Sequence, residues 1–148
     1  MVVLHIDLFS RRIVGWWSMD KNMDKRLVIR ALLMAVYQRR PKEKVLVHSD
    51  QGSQYGSSDY LAFMKEHNLI PSMSRHGNCH DNAVAESVFA IFKKRVIRKK
   101  IYPNRNEAKT EIFNFIAMSY NQKKRHSHTA TVSPANFEKA YFENLQTV

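Results

Sequence analysis

Two acidic residues occupy positions from which a carboxylate can do chemistry. Asp50 follows the short apolar segment 45–47, which is typical of a buried strand, and side chains at the carboxyl ends of strands line the ligand crevices of α/β folds. Glu86 falls early in a predicted helix that Asp81 opens, among small and apolar neighbours. Carboxylate oxygens are the ligands that hard divalent cations prefer. We therefore predict that Asp50 and Glu86 meet at one edge of a sheet and hold a metal ion.

Each acid also has an ordinary structural explanation. An aspartate after a strand commonly forms a turn, and a glutamate early in a helix commonly complements the helix dipole. The residue types alone leave both explanations open. The pairing of the acids and their basic surroundings favour the metal site.

Basic residues are concentrated after Glu86. Lys93 follows Glu86 by seven residues, which on an α-helix is two turns along and only about 20° around. Segment 93–100 reads KKRVIRKK, with apolar residues expected to pack inward at Val96, Ile97 and Ile101. A solvated helix face or a complemented helix end is the alternative. The residues predicted to contact nucleic acid are Lys93, Lys94, Arg98, Lys99, Lys100, Asn121 and Arg125.

The composition favours a polyanionic partner. The 148 residues include 24 Lys and Arg against 13 Asp and Glu, a formal net charge of +11. Such an excess suits phosphate backbones through counterion release. The single cysteine, Cys79, excludes an internal disulfide framework and a multi-cysteine zinc site. No apolar run, lipidation motif or signal pattern points to a membrane, so we expect a cytoplasmic protein that binds DNA.

Hydrophobic periodicity predicts the element order β-β-α-β-α-β-α-α-α. The hairpin comes first, and strands and helices then alternate, which indicates a mixed sheet flanked by helices. The predicted strands are 2–9, 13–18, the buried strand 45–47 and 70–73. The predicted helices begin at Asp24 (ending before Pro41), at Ser58 or Asp59, at Asp81 (running to about Lys99), at Asn106 and at Ser133.

Four motifs resemble a known family. DLFSRRIVGW, HSDQGSQY, SMSRHGNCHDNAVAESVFAIFKK and the tail YNQKKRHS followed by SPANFE are similar to the catalytic core of bacterial insertion-sequence transposases related to retroviral integrases. Thirty-five residues lie between Asp50 and Glu86, which matches the spacing of the second and third catalytic acids in that family. Lys93 also matches the family pattern. The motifs cover nearly the whole chain.

The resemblance implies a fold and a reaction. The fold is ribonuclease-H-like, and an Asp-Asp-Glu triad binds two Mg²⁺ ions, with Mn²⁺ as a substitute. The reaction is hydrolysis of a phosphodiester at a transposon end, followed by strand transfer into target DNA. In such sites one metal activates the attacking oxygen and the other stabilises the leaving oxygen. The expected partners are transposon-end and target DNA, and further copies of the chain or full-length transposase.

The resemblance leaves the first acid of the triad without a match. In the family that acid sits on a strand preceding the DLFSRRIVGW segment, whereas this chain begins on the later strand. Asp7 matches the hairpin aspartate of the family, so we expect it to form a turn. We expect residues 1–137 to be a partial core lacking the central first strand, and residues 138–148 to be a helix end and tail. A DNA-binding remnant without turnover and a ribonuclease-H-like nuclease remain alternatives.

Overall fold

The computed structural model describes residues 1–18, 25–74, 82–98 and 101–147. The strands are β1 (Val2–Ile6), β2 (Ile13–Ser18), β3 (Val45–Ser49) and β4 (Leu69–Met73). The helices are α1 (Lys25–Arg39), α2 (Ser58–Glu66), α3 (Ala83–Phe92), α4 (Arg105–Asn114), α5 (Asn121–Lys123) and α6 (Pro134–Gln146). Two segments are π-helical, Lys93–Ile97 and Phe115–Tyr120. The order of strands and helices follows the prediction.

The chain divides into two compact units. The first comprises Met1–His5 and Val14–Glu86, and the second comprises Ile6–Ile13 and Ser87–Val148. No helix in the described part of the chain is both long enough and apolar enough to cross a membrane.

The strands form two small sheets. β1 pairs with β2, and β3 pairs with β4 in parallel, with Val45 opposite Leu69 and Ser49 opposite Met73. Among the described residues, neither sheet has a third strand. Because β3 and β4 are parallel, their carboxyl ends lie at the same edge, and Asp50 follows one of them.

The core of the first unit forms between α1 and α2. Leu27, Val28 and Ala31 of α1 are fully buried, in one cluster with Tyr60 and Met64 of α2. Their helical spacing gives α1 a single apolar face.

Close packing between β2 and α1 depends on one glycine. A Cβ atom at Gly15 would clash with the carbonyl oxygen of Ala31 and would lie 2.9 Å from Cβ of Ala35. Only a residue without a side chain allows the helix backbone to approach the strand this closely.

The prediction that segment 45–47 is buried is wrong for two of its three residues. Val45 is 43% exposed and Leu46 is 64% exposed, whereas Val47 is half-buried and packs against the core. In the described chain β3 pairs only with β4, so nothing covers the beginning of the strand. A run of three apolar residues does not by itself determine burial, because neighbouring elements decide it.

Two helix caps differ from their predicted positions. Ser57 caps α2 by accepting a hydrogen bond from the backbone N–H of Tyr60, in place of Ser58 or Asp59. Asn104, rather than Asn106, caps α4, and its amide also donates to Glu107 Oε1 at 2.8 Å. The predicted caps Asp24 and Asp81 lie outside the described residues.

In the second unit, the loop of the β1–β2 hairpin is fastened to α6. Glu138 is 6% exposed, and its two carboxylate oxygens accept from Ser10 Oγ at 2.6 Å and from Arg12 Nη1 at 2.7 Å. Helix α6 is continuous across the predicted domain boundary after residue 137, and that boundary stays a prediction.

The inward side of the basic segment was predicted only in part. Val96 is buried, but Ile97 and Ile101 are exposed. The segment Lys93–Ile97 is π-helical, so the α-helical spacing that predicted its apolar side does not apply there.

Candidate active site

Asp50 lies at the exposed end of β3 and begins a turn. Its Oδ1 atom accepts a hydrogen bond from the backbone N–H of Gly52 at 3.0 Å, and the chain continues into the short 3₁₀ helix Ser53–Gly56. This is the turn geometry that aspartate favours after a strand. The turn uses one carboxylate oxygen and leaves the side chain at the surface.

A hydrogen-bonded cluster joins the ends of β3 and β4 beside Asp50. His48 Nδ1 lies 2.9 Å from Ser72 Oγ, and His48 Nε2 lies 3.3 Å from Ser74 Oγ. Ser74 also bonds to the carbonyl oxygen of Ser49 through both its backbone N–H and its hydroxyl group. The Gln51 amide donates to the carbonyl of Ser74 at 3.2 Å. These contacts fix the backbone on both sides of Asp50.

The same cluster reaches the beginning of α3. Asn82 Nδ2 donates to Ser74 Oγ at 2.7 Å. Glu86 lies in the first turn of α3, four residues after Asn82, and is exposed. A chain of hydrogen bonds therefore connects Ser49, which precedes Asp50, with Asn82, which precedes Glu86.

Tyr55 is a neighbour of Asp50 that the sequence interpretation did not single out. Burial raises the pKa of Tyr55, and the negative charge of Asp50 raises that pKa further. The Tyr55 and Tyr60 rings pack edge to face with centroids 5.5 Å apart. The position of Tyr55, five residues after Asp50 at the end of the HSDQGSQY motif, was the available sequence signal.

Metal-binding side chains are few around these acids. Within the described ranges, no group of three or more His, Cys, Asp or Glu residues is arranged to hold a metal ion. The predicted pair of Asp50 and Glu86 therefore supplies two carboxylates as its own ligands.

Asp7 forms a turn, as expected from its match to the hairpin aspartate. Its Oδ1 atom accepts from the backbone N–H groups of Phe9 at 2.9 Å and Ser10 at 3.3 Å. The Asp7 backbone also pairs with Arg11 and Arg12, and Arg11 has a positive φ of 63°. These contacts account for an aspartate at this position without a metal.

The predicted DNA-contacting residues fall into three groups. Lys93, Lys94 and Arg98 are exposed on and directly after the first π-helical segment, and Arg125 is exposed beyond α5. Lys99 and Lys100 lie outside the described residues.

Asn121 needs a correction, because its side chain holds the protein backbone. Its Oδ1 accepts from the N–H of Ile13 at 2.9 Å, and its Nδ2 donates to the carbonyl of Ile13 at 3.0 Å. Asn121 is only 6% exposed. Both ends of the amide are thus used at the start of β2, and we remove Asn121 from the candidate interface.

Comparison with protein families identifies the chain with integrase cores. Residues 2–79 match a family model described as "Integrase core domain", and residues 86–142 match a second model with the same description. Together the two matches include Asp50, Glu86 and Lys93.

Bacterial transposases are similar in sequence along most of the chain. "Transposase InsF for insertion sequence IS3A" of Escherichia coli (strain K12) is 43% identical over 133 residues, covering 90% of this chain and 46% of that protein. "Transposase for insertion sequence element IS904" of Lactococcus lactis subsp. lactis (strain IL1403) is 42% identical over 138 residues, covering 93% and 54%. The chain thus spans about half the length of the curated relatives it matches.

Solved retroviral structures share the fold. A chain of the simian T-cell lymphotropic virus intasome, solved in complex with PP2A regulatory subunit B56 gamma, matches with a TM-score of 0.72 at 14% identity, covering 92% of this chain and 47% of that one. The HTLV-2 integrase catalytic core domain in complex with magnesium matches with a TM-score of 0.63 at 16% identity, covering 90% and 82%. The ribonuclease-H-like fold expected from the motifs is therefore confirmed.

Proposed function

The chain belongs to the integrase core domain family, and from this membership we propose that it is the catalytic core of a DNA transposase. In this proposal Asp50 and Glu86 are catalytic metal ligands, and the reaction is phosphodiester hydrolysis followed by strand transfer. The names of the bacterial relatives support transposition as the process.

The observation that carries the assignment of the two acids is the hydrogen-bonded cluster around Ser74. It connects the backbone before Asp50 with the side chain of Asn82, one turn before Glu86. Both carboxylates are exposed, so they are open to a metal ion and to a phosphodiester. A catalytic site needs ligands held by such surrounding contacts, because a small displacement lowers the rate strongly.

The chemistry of the donors fits Mg²⁺, with Mn²⁺ as a substitute. Mg²⁺ in proteins is bound by one or two carboxylates, several waters and substrate phosphates. Two carboxylates from Asp50 and Glu86 agree with that pattern, and the magnesium complex of the HTLV-2 integrase core supports the choice of ion. When bound, divalent ions make the attacking oxygen more nucleophilic and stabilise the leaving oxygen.

The role of the basic residues is to bind the DNA backbone. Lys93, Lys94 and Arg98 are exposed, and we extend the same role to Lys99 and Lys100 on sequence grounds. Lysine and arginine contacts to phosphates release counterions and carry no sequence information. They would hold DNA in place while other contacts select the sequence.

Assembly into an oligomer is part of the proposal. The intasome among the structural neighbours and the trimeric form of the HTLV-2 core support the view that such domains act as assemblies. The partner would be a second copy of the chain or a full-length transposase.

A second candidate function is DNA binding without turnover. It is favoured by the lack, within the described residues, of any three-residue His, Cys, Asp or Glu group able to hold a metal. In that case the basic surface would act alone, and Asp50 and Glu86 would have structural roles.

Nicking of supercoiled plasmid by the 148-residue chain separates the two candidates. We expect nicking with Mn²⁺ and slower nicking with Mg²⁺, abolished by Glu86→Gln and Asp50→Asn. Glu66→Gln, which removes one charge from an exposed residue at the end of α2, is the matched control and should nick normally. DNA binding with no nicking under any metal condition would favour the second candidate. Nicking that survives both acid substitutions would overturn the proposed site.

A further inference from the structure

A cavity in the second unit lies between the two π-helical segments. Its volume is about 200 Å³. Arg95 comes from the first π-helical segment, and Phe115, Ser119 and Tyr120 come from the second. The ring centroids of Phe92 and Phe115 are 5.6 Å apart, which packs the two helices against each other at the cavity. Single π-helical turns within α-helices occur often at functional sites.

The polar lining of this cavity is almost entirely cationic. Arg95 Nη1 lies 3.5 Å from Ser119 Oγ, which links the two π-helical segments across the cavity wall. The chain that follows α5 completes the lining. The cationic residues of the wall are Arg95, Lys123, Lys124 and Arg125. No acidic side chain belongs to this lining.

Tyr120 adds a hydrogen-bonding group that the described protein does not use. The residue is 1% exposed, and its hydroxyl oxygen has no hydrogen-bond partner among the residues that the structure describes. Burial raises the pKa of Tyr120 to about 12, although the positive charge of Arg11 opposes the rise. The group is therefore a protonated donor at neutral pH. A buried donor without a partner costs about 1–3 kcal/mol, so such a group calls for an explanation.

We propose that this cavity is a binding site for one phosphate group of the DNA backbone. Arg95, Lys124 and Arg125 supply positive charge, and the hydroxyl groups of Ser119 and Tyr120 supply neutral donors. The proposal rests on the proposed function for the identity of the ligand, and it adds a specific contact outside segment 93–100. Phosphate oxygens accept several hydrogen bonds at once, and lysine, arginine and hydroxyl groups are their common partners in proteins.

The size of the cavity suits a phosphate group. At roughly 30 Å³ per water molecule, the cavity has the space of about six waters, enough for a phosphate together with part of its hydration shell. A base or a nucleoside would need more room and an aromatic surface to stack on, whereas the aromatic residues of the wall, Phe115 and Tyr120, are themselves buried. The shared chemistry is a phosphate group, and its two sources are a DNA phosphodiester and free inorganic phosphate.

The first test uses Tyr120→Phe in the full 148-residue chain. Phenylalanine has nearly the same shape, and the hydroxyl that it removes bonds to no described residue, so the variant should fold. If the cavity binds DNA, affinity for a 30-base-pair duplex should fall about five- to tenfold by fluorescence anisotropy. Tyr37→Phe, at an exposed tyrosine of α1, is the control and should bind like the parent chain.

The second test compares two charge-matched double variants. Lys124→Gln with Arg125→Gln removes two cations from the cavity, and Lys42→Gln with Lys44→Gln removes two exposed cations elsewhere. Loss of one neutralised phosphate should lower the slope of log affinity against log salt by about one in the first variant only. Equal changes in both variants would overturn the proposal, because they would reflect net charge alone.

A third measurement distinguishes the sources of phosphate. Inorganic phosphate should raise the Tm of the parent chain above that in chloride of equal ionic strength, and should raise it less in Tyr120→Phe. If phosphate has this effect but both variants bind DNA normally, the DNA assignment is overturned. If no variant changes either measurement, the cavity itself is overturned. If the parent chain binds no DNA but phosphate still stabilises it through Tyr120, the proposed function fails and the phosphate site stands.

Discussion

Asn82 Nδ2 lies 2.7 Å from Ser74 Oγ, and this contact joins the beginning of α3 to the end of β4. Ser74 is bonded in turn to the carbonyl of Ser49, directly before Asp50. The contact therefore connects the local structure around the two proposed metal ligands. Neither Asn82 nor Ser74 carries a charge, so their contribution is to position the backbone that presents Asp50 and Glu86.

Asn82→Ala should weaken the proposed site without changing its charge. Loss of one hydrogen bond is expected to lower the free energy of unfolding by about 1 kcal/mol. It should also lower the affinity for Mn²⁺, because the beginning of α3 is held less firmly. Urea unfolding and Mn²⁺ titration measure the two effects. Asn144→Ala, at an exposed asparagine of α6, is the control, and Mn²⁺ affinity equal to that of the parent would show that Asn82 does not position Glu86.

Lys93→Ala should weaken DNA binding about equally for all sequences. A lysine that contacts one phosphate contributes about one to the salt slope, so the slope should fall by about one. Anisotropy titrations at several salt concentrations measure it, with Lys65→Ala of α2 as a control of equal charge. An unchanged slope would return Lys93 to a solvated helix face.

Asn121→Ala should affect stability rather than DNA recognition. It leaves the N–H and the carbonyl of Ile13 without their partners in a buried position, at a cost of about 2–4 kcal/mol. Gln122→Ala, at the exposed neighbouring residue, should cost far less. Thermal or urea unfolding tests this, and an Asn121→Ala protein as stable as the parent but weak in DNA binding would reinstate Asn121 as a DNA contact.

Stability should fall as the pH is lowered from about 6.5 to 4. Burial lowers the pKa of His5 from 6.5 to about 4, although a hydrogen bond with the Val28 backbone opposes the lowering. Between these values the unfolded chain binds more protons than the folded chain, so acid favours unfolding, by roughly 3 kcal/mol at pH 4. Burial also lowers the pKa of His126, which acts in the same direction.

The variant His5→Leu isolates this contribution. Its free energy of unfolding in urea should depend less on pH across the same window than that of the parent chain. Identical pH dependence in the two proteins would show that His5 is not the group responsible.

Much of the fold followed from local sequence patterns. The apolar spacing of Leu27 and Ala31 predicted the buried face of α1, and Ser133 followed by Pro134 predicted the start of α6, which Ser133 caps. The position of the α2 cap was missed by one residue because Ser57, Ser58 and Asp59 are all suitable caps. Burial of Val45 and Leu46 was missed because it depends on which strands lie beside β3.

The candidate site was predictable only where the chemistry is local. Asp50 and Glu86 stood out by residue type and spacing, but the cluster that connects them depends on Ser74 and Asn82, whose contacts arise only on folding. Asn121 looked like a surface residue because lysine and arginine follow it. Its partner Ile13 lies 108 residues away, and no local pattern reports such a pair.

The central claim is that Asp50 and Glu86 bind one divalent cation together, and paramagnetic broadening by Mn²⁺ tests it most directly. In NMR spectra of the isotope-labelled chain, amide signals around Asp50 and around Glu86 should broaden at the same Mn²⁺ concentration. Either Asp50→Asn or Glu86→Gln should abolish both effects, while Glu66→Gln should leave them unchanged. Broadening near Asp50 that persists in Glu86→Gln would contradict a shared site.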